Sequence, residues 1–351
     1  MPADDVCFWF NTFLPTACGF GQAQQAGANA MSDLPILVRI NEEGPREGFQ
    51  FEPGPIATER KIELIDSLSK TGLREIQVAS FVPPKNVPGW ADAEKVVAGF
   101  TRRPGVRYTA LWLNDKGFLR ALASNTLDMA GSISLTLSEK FLMRNQKRTL
   151  VENIAAQRAT IGTYLKHGIP VERFSLMAAF GCNFEGDIPH SRVIQFIQTG
   201  VELGAERGLT IKRVSLADTM AWATPKSIKK VVGAVREKYP ELELSLHLHD
   251  TRGMGIANAC AGLEMGIANF DSAVAGLGGC PFAGHRGAAG NVCTEDLVFM
   301  CQEMGIETGI DLGALIESAL LAEDIVGHPL PGSVMKGGAL SRMRERIRAA
   351  A

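Results

Sequence analysis

The chain has 351 residues, of which 46% are hydrophobic, and its formal net charge is −2. This length suits an α/β barrel with extensions, and the near-neutral charge gives no support to nucleic-acid binding. The seven cysteines include no Cys-x-x-Cys pair, which favours free thiols in a reducing compartment. No apolar run approaches about 18 residues, so we expect no membrane span and a cytoplasmic protein.

The first 32 residues are predicted to be a flexible extension. Asp4 and Asp5 precede the apolar stretch 6–10, where a signal or transit peptide would carry basic residues. Met31 is an alternative natural start. We expect residues 33–330 to form one catalytic domain and residues 331–351 to form a C-terminal tail.

Eight short apolar runs alternate with amphipathic stretches and predict eight strands. The runs are residues 36–41, 75–81, 107–113, 127–135, 174–180, 211–217, 243–249 and 270–277. Helical patterns lie at residues 59–70, 148–166, 191–207, 225–238, 256–265, 294–304 and 311–326. This alternation predicts a (β/α)8 TIM barrel with extra C-terminal helices. A doubly wound open sheet is the alternative, less favoured because polar residues follow nearly every strand.

Barrel enzymes keep their active sites at the carboxyl ends of the strands. His247 and His249 end the seventh strand, and alternate strand residues share a face. Glu47 after the first strand and Asn291 after the eighth would complete an oxygen and nitrogen ligand set. Such a set favours Mg²⁺ or Mn²⁺, with Zn²⁺ as a further candidate. Read separately, these residues also fit core histidines, an ion pair of Glu47 with Arg46, and a turn asparagine.

Three further groups are candidates for proton transfer or charge stabilisation. Arg46 would stabilise a developing oxyanion, unless it is a surface arginine. Cys280, in a Gly-Gly-Cys-Pro turn, would exchange a proton with a ligand, although a cysteine read alone is more often a small buried residue. Asp218, after the sixth strand, would orient a ligand imidazole or cap the next helix.

Five residues near the strand ends are candidates for substrate contacts: Gln50, Gln77, Trp112, His285 and Arg286. Trp112 fits either a pocket wall or a core aromatic. His285 and Arg286 would meet a substrate anion or form a solvated loop tip. The sequence contains no complete dinucleotide fingerprint, P-loop or serine-nucleophile elbow.

Four segments carry a family resemblance: Glu43-Gly44-Pro45-Arg46-Glu47-Gly48-Phe49-Gln50, Ser80-Phe81-Val82, His247-Leu248-His249-Asp250-Thr251 and Val274-Ala275-Gly276-Leu277-Gly278-Gly279-Cys280-Pro281. The last continues through Gly290-Asn291 to Thr294-Glu295-Asp296-Leu297. With these segments the chain resembles the 3-hydroxy-3-methylglutaryl-CoA (HMG-CoA) lyase family over residues 36–325.

The resemblance implies a TIM-barrel enzyme that cleaves a 3-hydroxyacyl-CoA by a retro-aldol, Claisen-type step to acetyl-CoA and an oxo acid. Arg46 takes the position of the arginine that steadies the enolate, and Cys280 that of its proton donor. Asp218 matches an active-site aspartate, and His247 belongs to the catalytic set. Four side chains take metal-ligand positions: Glu47, His247, His249 and Asn291. We also expect an acyl-CoA substrate, no nucleic-acid or membrane partner, and a homo-oligomer, expected to be a dimer.

The chain departs from the family pattern around the pocket. Glu47 stands where the family has aspartate, and Gln77 where it has glutamate. The loop after Cys280 is longer, and its Arg286 would pair with an additional substrate carboxylate. These departures leave open whether the substrate is HMG-CoA or a relative with another 3-substituent. A condensing synthase, an aldolase that acts without CoA, and an inactive barrel remain as alternatives.

Overall fold

Eight parallel strands form one curled sheet in this computed structural model, which describes residues 34–279 and 289–351. The strands are β1 Arg39–Glu42, β2 Glu75–Ser80, β3 Arg107–Leu111, β4 Gly131–Thr136, β5 Val171–Met177, β6 Arg213–Asp218, β7 Glu243–Leu248 and β8 Asn269–Ser272. Their order in the sheet is β3-β2-β1-β8-β7-β6-β5-β4. The first and last strands are therefore neighbours, with Ile40 opposite Phe270. This arrangement confirms the predicted TIM barrel.

The seam between β3 and β4 is held by the segment that leads into β4. The backbone N–H of Asp128 donates to the carbonyl of Tyr108 at 2.8 Å. The Asp128 carboxylate accepts the Tyr108 N–H at 2.7 Å. Asp128 thus makes two hydrogen bonds to Tyr108 at the place where β3 and β4 are not paired with each other.

Helices follow the strands and cover the outside of the sheet. They are α1 Gly44–Phe51, α2 Thr58–Leu68, α3 Ala93–Gly99, α4 Asp115–Ala123, α5 Glu139–Gln146, α6 Leu150–Lys166, α7 His190–Ala205, α8 Pro225–Lys238, α9 Gly255–Glu264, α10 Thr294–Glu303, α11 Leu312–Val326, α12 Val334–Gly337 and α13 Leu340–Ala350. Local sequence explains several starts. Thr149 and Thr224 form capping boxes before α6 and α8, and Pro225 occupies the first turn of α8.

One large apolar core joins the strands to the helices, and its residues include Leu246, Phe270 and Leu297, each at most 1% exposed. Within the described residues, no helix combines the length and apolar character needed to cross a membrane.

The structure differs from the predicted elements in two places near the site. Residues 44–51, where the sequence analysis gave no helical pattern, form α1. Proline is tolerated in the first helical turn, where its missing N–H has no intrahelical partner. The eighth strand was predicted to reach residue 277 but ends at Ser272. A short 3-10 helix, Val274–Gly276, follows, and Ala275 takes a left-handed φ of 57° that a strand does not accommodate.

Candidate active site

Two histidine rings face each other at the carboxyl end of β7. His247 and His249 lie on the same strand face, and their Nε2 atoms are 3.3 Å apart. Nitrogen ligands of one cation, each at about 2.1 Å and at right angles, lie about 3 Å apart. The ring separation therefore suits a shared cation better than a direct bond between two ring nitrogens.

Glu47 reaches these rings from the first turn of α1. Its Oε1 lies 3.6 Å from His249 Nε2, and its side chain is only 8% exposed. The helix is fixed from outside by the Trp90 indole, which donates to the Arg46 carbonyl at 2.8 Å. At Gly48 a Cβ would lie 2.9 Å from the Leu277 Cβ, so the close approach of α1 to the segment after β8 requires glycine.

Asn291 joins the site because its segment pairs with the end of β7. The Val292 N–H donates to the Leu248 carbonyl at 2.8 Å, and His249 and Asn291 form an isolated antiparallel bridge. The Asn291 side-chain N–H donates to Glu47 Oε2 at 3.3 Å. Its Oδ1 is buried and has no hydrogen-bond partner. A buried carbonyl oxygen without a donor is costly unless a cation or water supplies the contact.

These residues fit a divalent cation. Ligand atoms of Glu47, His247 and His249 all lie within 4.8 Å of one another, and the unpartnered Asn291 oxygen adds a fourth donor beside them. Oxygen and imidazole donors suit Mg²⁺, Mn²⁺ or Zn²⁺.

Charges around the site set different pKa values for neighbouring groups. Burial would lower the pKa of His247, but the hydrogen bond that its ring donates to Asp271 and the charges of the nearby carboxylates outweigh burial and raise that pKa to about 9. Burial and the neighbouring His247 lower the pKa of His249 to about 4. Burial opposes ionisation of Glu47, yet Arg46 and the histidines hold its pKa below the usual range. Glu47 therefore stays ionised, as a cation ligand must.

Arg46 is surrounded by oxygen acceptors from β2 and from its own turn. Its Nη2 donates to Glu43 at 2.6 Å, its Nη1 lies 3.0 Å from Glu47, and its Nε donates to the Gln77 side chain. The guanidinium is buried and fixed in direction, as a group that stabilises a developing oxyanion needs to be.

Asp218 lies at the end of β6 with one committed oxygen. Its Oδ1 accepts the N–H groups of Trp222 and Ala223 at 2.7 and 3.0 Å, whereas Oδ2 has no partner. Burial raises the pKa of Asp218 to about 7. Thr224, and not Asp218, caps α8. The free oxygen and the near-neutral pKa suit a group that exchanges protons.

The remaining predicted residues are placed differently. Gln50 is half-buried on α1 with an unpartnered Oε1. The contacts of Trp112 are with other aromatic residues. Its indole N–H donates to the Tyr164 hydroxyl at 2.7 Å and its ring packs on Phe118, an arrangement typical of a core aromatic. Cys280, His285 and Arg286 lie outside the described residues.

Sequence reasoning missed two carboxylates that touch the site, Glu43 and Asp271, and Arg173, which pairs with Asp271 behind it. Asp271 accepts from His247 Nδ1 at 3.2 Å and also from Arg173. The available signal was a carboxylate within an apolar strand, since buried charges are rare unless they are paired.

Comparison with known proteins agrees with the family resemblance seen in the sequence. A family model described as HMGL-like matches residues 37–321. The hydroxymethylglutaryl-CoA lyase of Bacillus subtilis (strain 168) is 37% identical over 297 residues, which cover 85% of this chain and 96% of that protein.

Two solved structures share the fold at similar identity. The hydroxymethylglutaryl-CoA lyase from Pseudomonas aeruginosa superposes with a TM-score of 0.80 at 36% identity, covering 87% of this chain and 98% of that one. An HMG-CoA lyase from Acinetobacter baumannii, in complex with coenzyme A and 3-methylmalate, gives 0.77 at 37% identity, covering 89% and 97%.

Proposed function

Because the chain belongs to the HMGL-like family, we propose that it is a divalent-metal-dependent carbon–carbon lyase that cleaves HMG-CoA or a related 3-hydroxyacyl-CoA to acetyl-CoA and an oxo acid. The observation that carries the proposal is the convergence of Glu47, His247, His249 and Asn291 at one end of the barrel. The coenzyme A bound to the Acinetobacter baumannii lyase supports a CoA thioester as substrate.

The chain's own residues divide the chemistry among them. Glu47, His247, His249 and Asn291 would hold Mg²⁺ or Mn²⁺. When bound, the cation supplies Lewis-acid stabilisation of negative charge on a substrate oxygen. Asp218 is suited to accept the proton of the 3-hydroxyl group at its free Oδ2, because its pKa lies near 7.

Removal of that proton lets the hydroxyl oxygen form a carbonyl while the adjacent carbon–carbon bond breaks. The electron pair of the broken bond passes to the thioester as an enolate. Arg46, fixed by Glu43 and Gln77, would donate hydrogen bonds to the enolate oxygen. One proton then converts the enolate to acetyl-CoA. We expect Cys280 to deliver it, and Gln50, Gln77, His285 and Arg286 to contact the substrate.

A panel of 3-hydroxyacyl-CoA thioesters, assayed with Mg²⁺ and with Mn²⁺, tests the proposal. We expect acetyl-CoA and one oxo acid in equal amounts from HMG-CoA or a close relative, and no turnover after exhaustive chelation. An active preparation that is indifferent to chelation would contradict it. Thiol release from acetyl-CoA and a 2-oxo acid would indicate a condensing synthase instead, and pyruvate formation without CoA an aldolase.

An Asp218→Asn variant separates the chemistry from binding. Asparagine keeps the contacts to the Trp222 and Ala223 N–H groups but accepts no proton at pH 7. We expect a fall in kcat of about 10²- to 10⁴-fold with little change in KM. The cytoplasmic location and the dimer stay predictions, which cell fractionation and light scattering would check.

A further inference from the structure

A second layer of polar residues lies behind the candidate ligands. It consists of Asn41 on β1, Glu43 at the start of α1, Arg173 on β5 and Asp271 on β8, and is called the supporting network below. Asp271 is 2% exposed and Glu43 is 4% exposed. Two buried carboxylates so close to each other are unfavourable unless nearby donors and cations compensate them.

Asp271 determines which nitrogen of His247 faces the candidate cation site. Its Oδ2 lies 3.2 Å from His247 Nδ1. The same carboxylate pairs with the Arg173 guanidinium through Oδ2 and accepts from the Asn41 amide at Oδ1. A carboxylate in an ion pair with arginine only accepts, so His247 Nδ1 must donate. The ring is thereby oriented with Nε2 toward His249 and Glu47, where this nitrogen can bind a cation once the cation has displaced its proton.

Glu43 has a different main partner. Its Oε2 accepts from Arg46 Nη2 at 2.6 Å and lies farther, at 3.5 Å, from His247 Nδ1. Together with Gln77 on the Nε side, it fixes the plane of the guanidinium. Arg46 is therefore oriented by Glu43 much as His247 is oriented by Asp271.

Asn41 and Arg173 join the two carboxylates into one unit. The Asn41 amide donates to Glu43 Oε1 and to Asp271 Oδ1, each at 3.0 Å. Arg173 pairs with Asp271 and donates to the Ser215 hydroxyl at 2.7 Å. These contacts span four strands of the barrel, so they fix Arg46 and His247 relative to one another.

We propose that the supporting network divides two positioning roles between its carboxylates: Asp271 positions His247 for cation binding, and Glu43 positions Arg46 for the carbon–carbon cleavage step. The inference rests on the proposed function for the role of Arg46. The cation-binding role is measured without any substrate, so the two can fail independently.

Direct Mn²⁺ binding to the purified full chain tests the first role. We expect one ion per chain and an Asp271→Asn variant whose Kd is weaker by about 10- to 100-fold. Glu243→Gln is the control, because it removes a carboxylate from the same strand, β7, but at the opposite end from His247, where Glu243 pairs with Arg213 at 2.7 Å. Its Kd should stay within about twofold, and thermal unfolding of the metal-free variants reports any general loss of structure.

Steady-state kinetics of a Glu43→Gln variant test the second role. We expect kcat to fall about tenfold while KM and the Mn²⁺ Kd change less than about threefold, since the amide oxygen of glutamine still accepts from Arg46 but carries no charge.

An Asp271→Asn variant with wild-type Mn²⁺ affinity would overturn the inference. So would two ions per chain, because Glu43, His247 and Asp271 would then be ligands of a second cation. A Glu43→Gln variant that loses Mn²⁺ affinity as strongly as Asp271→Asn would overturn the division of roles. Wild-type protein that binds Mn²⁺ but cleaves no thioester would instead contradict the proposed function.

Discussion

Two groups of buried carboxylates lie close together in this barrel and behave oppositely. Glu47 and Asp271 contact arginines and histidines, which hold their pKa values below the usual range. The second group consists of Glu42 at the end of β1 and Glu295 in the first turn of α10. Neither forms an ion pair among the described residues. Burial raises the pKa of each to about 7. These four carboxylates are all buried, so the difference between them comes from their partners. Glu43 is an exception, because burial raises its pKa although Arg46 lies 2.6 Å away.

The second group binds the chain itself. Glu42 accepts the backbone N–H groups of Gly44 and Val274 and the Thr294 hydroxyl, at 2.7, 2.9 and 2.6 Å. Glu295 accepts the Ala275 N–H at 2.9 Å. These contacts fix the turns that carry α1 and the segment after β8. The first group is therefore suited to bind a cation or to position one of its ligands, and the second group is suited to fix the turns that carry α1 and the segment after β8.

The largest expected effect comes from removing the positive charge of Arg46, which contacts Glu47 in the first group. An Arg46→Gln variant keeps a polar side chain but loses the charge that stabilises an enolate. We expect kcat to fall by about 10²- to 10³-fold, as for loss of one oxyanion donor. Steady-state kinetics on the best thioester check this, with Arg46→Lys expected to retain an intermediate rate. Unchanged kcat in Arg46→Gln would assign Arg46 to charge compensation of Glu43 and Glu47 alone.

The second group should affect stability and its pH dependence. The folded-state pKa of Glu42 is raised from 4.5 to about 7, so its contribution favours folding below pH 4.5 and is lost as the pH rises to 7. The shift corresponds to about 3 kcal/mol between pH 4 and pH 8. A Glu42→Gln variant removes this titration, so its free energy of unfolding should rise relative to wild type by that amount over the same range.

Denaturant unfolding of both proteins from pH 4 to pH 8 measures the difference. The Ser272–Thr294 hydroxyl pair can reverse its donor direction to accept from a glutamine amide, which makes the substitution nearly isosteric. Parallel pH profiles for the two proteins would mean that folding does not shift the pKa of Glu42 and that the contrast between the groups is false.

The smallest effect is expected from shortening the ligand carboxylate. Glu47 already contacts Arg46 at 3.0 Å and Asn291 at 3.3 Å, and a Glu47→Asp variant withdraws the oxygens by one methylene. We expect Mn²⁺ to bind about tenfold more weakly, comparable to losing one supporting contact. Titration of the metal-free variant checks this. Equal or tighter binding would show that the site adapts to either carboxylate.

Local sequence was sufficient for most of the fold. All eight strands were predicted, only the eighth ends more than four residues from its predicted end, and the pattern at 225–238 coincides with α8. The shared face of His247 and His249 follows from the two-residue period of a strand, which needs no knowledge of the rest of the chain. The helices α1, α3, α4 and α5 had no predicted helical pattern, and after β8 the apolar run continues past the end of the strand into a 3-10 helix.

The amino-acid sequence by itself determined the barrel, its order of elements and the strand ends where ligands occur, because periodicity is a property of neighbours along the chain. Only the tertiary structure decided that Asn41 bridges Glu43 to Asp271, 230 residues away from it, and that Trp112 packs on Tyr164. It also decided which buried carboxylates are ionised. Those outcomes depend on which side chains meet when the sheet curls, and a linear pattern does not encode that geometry.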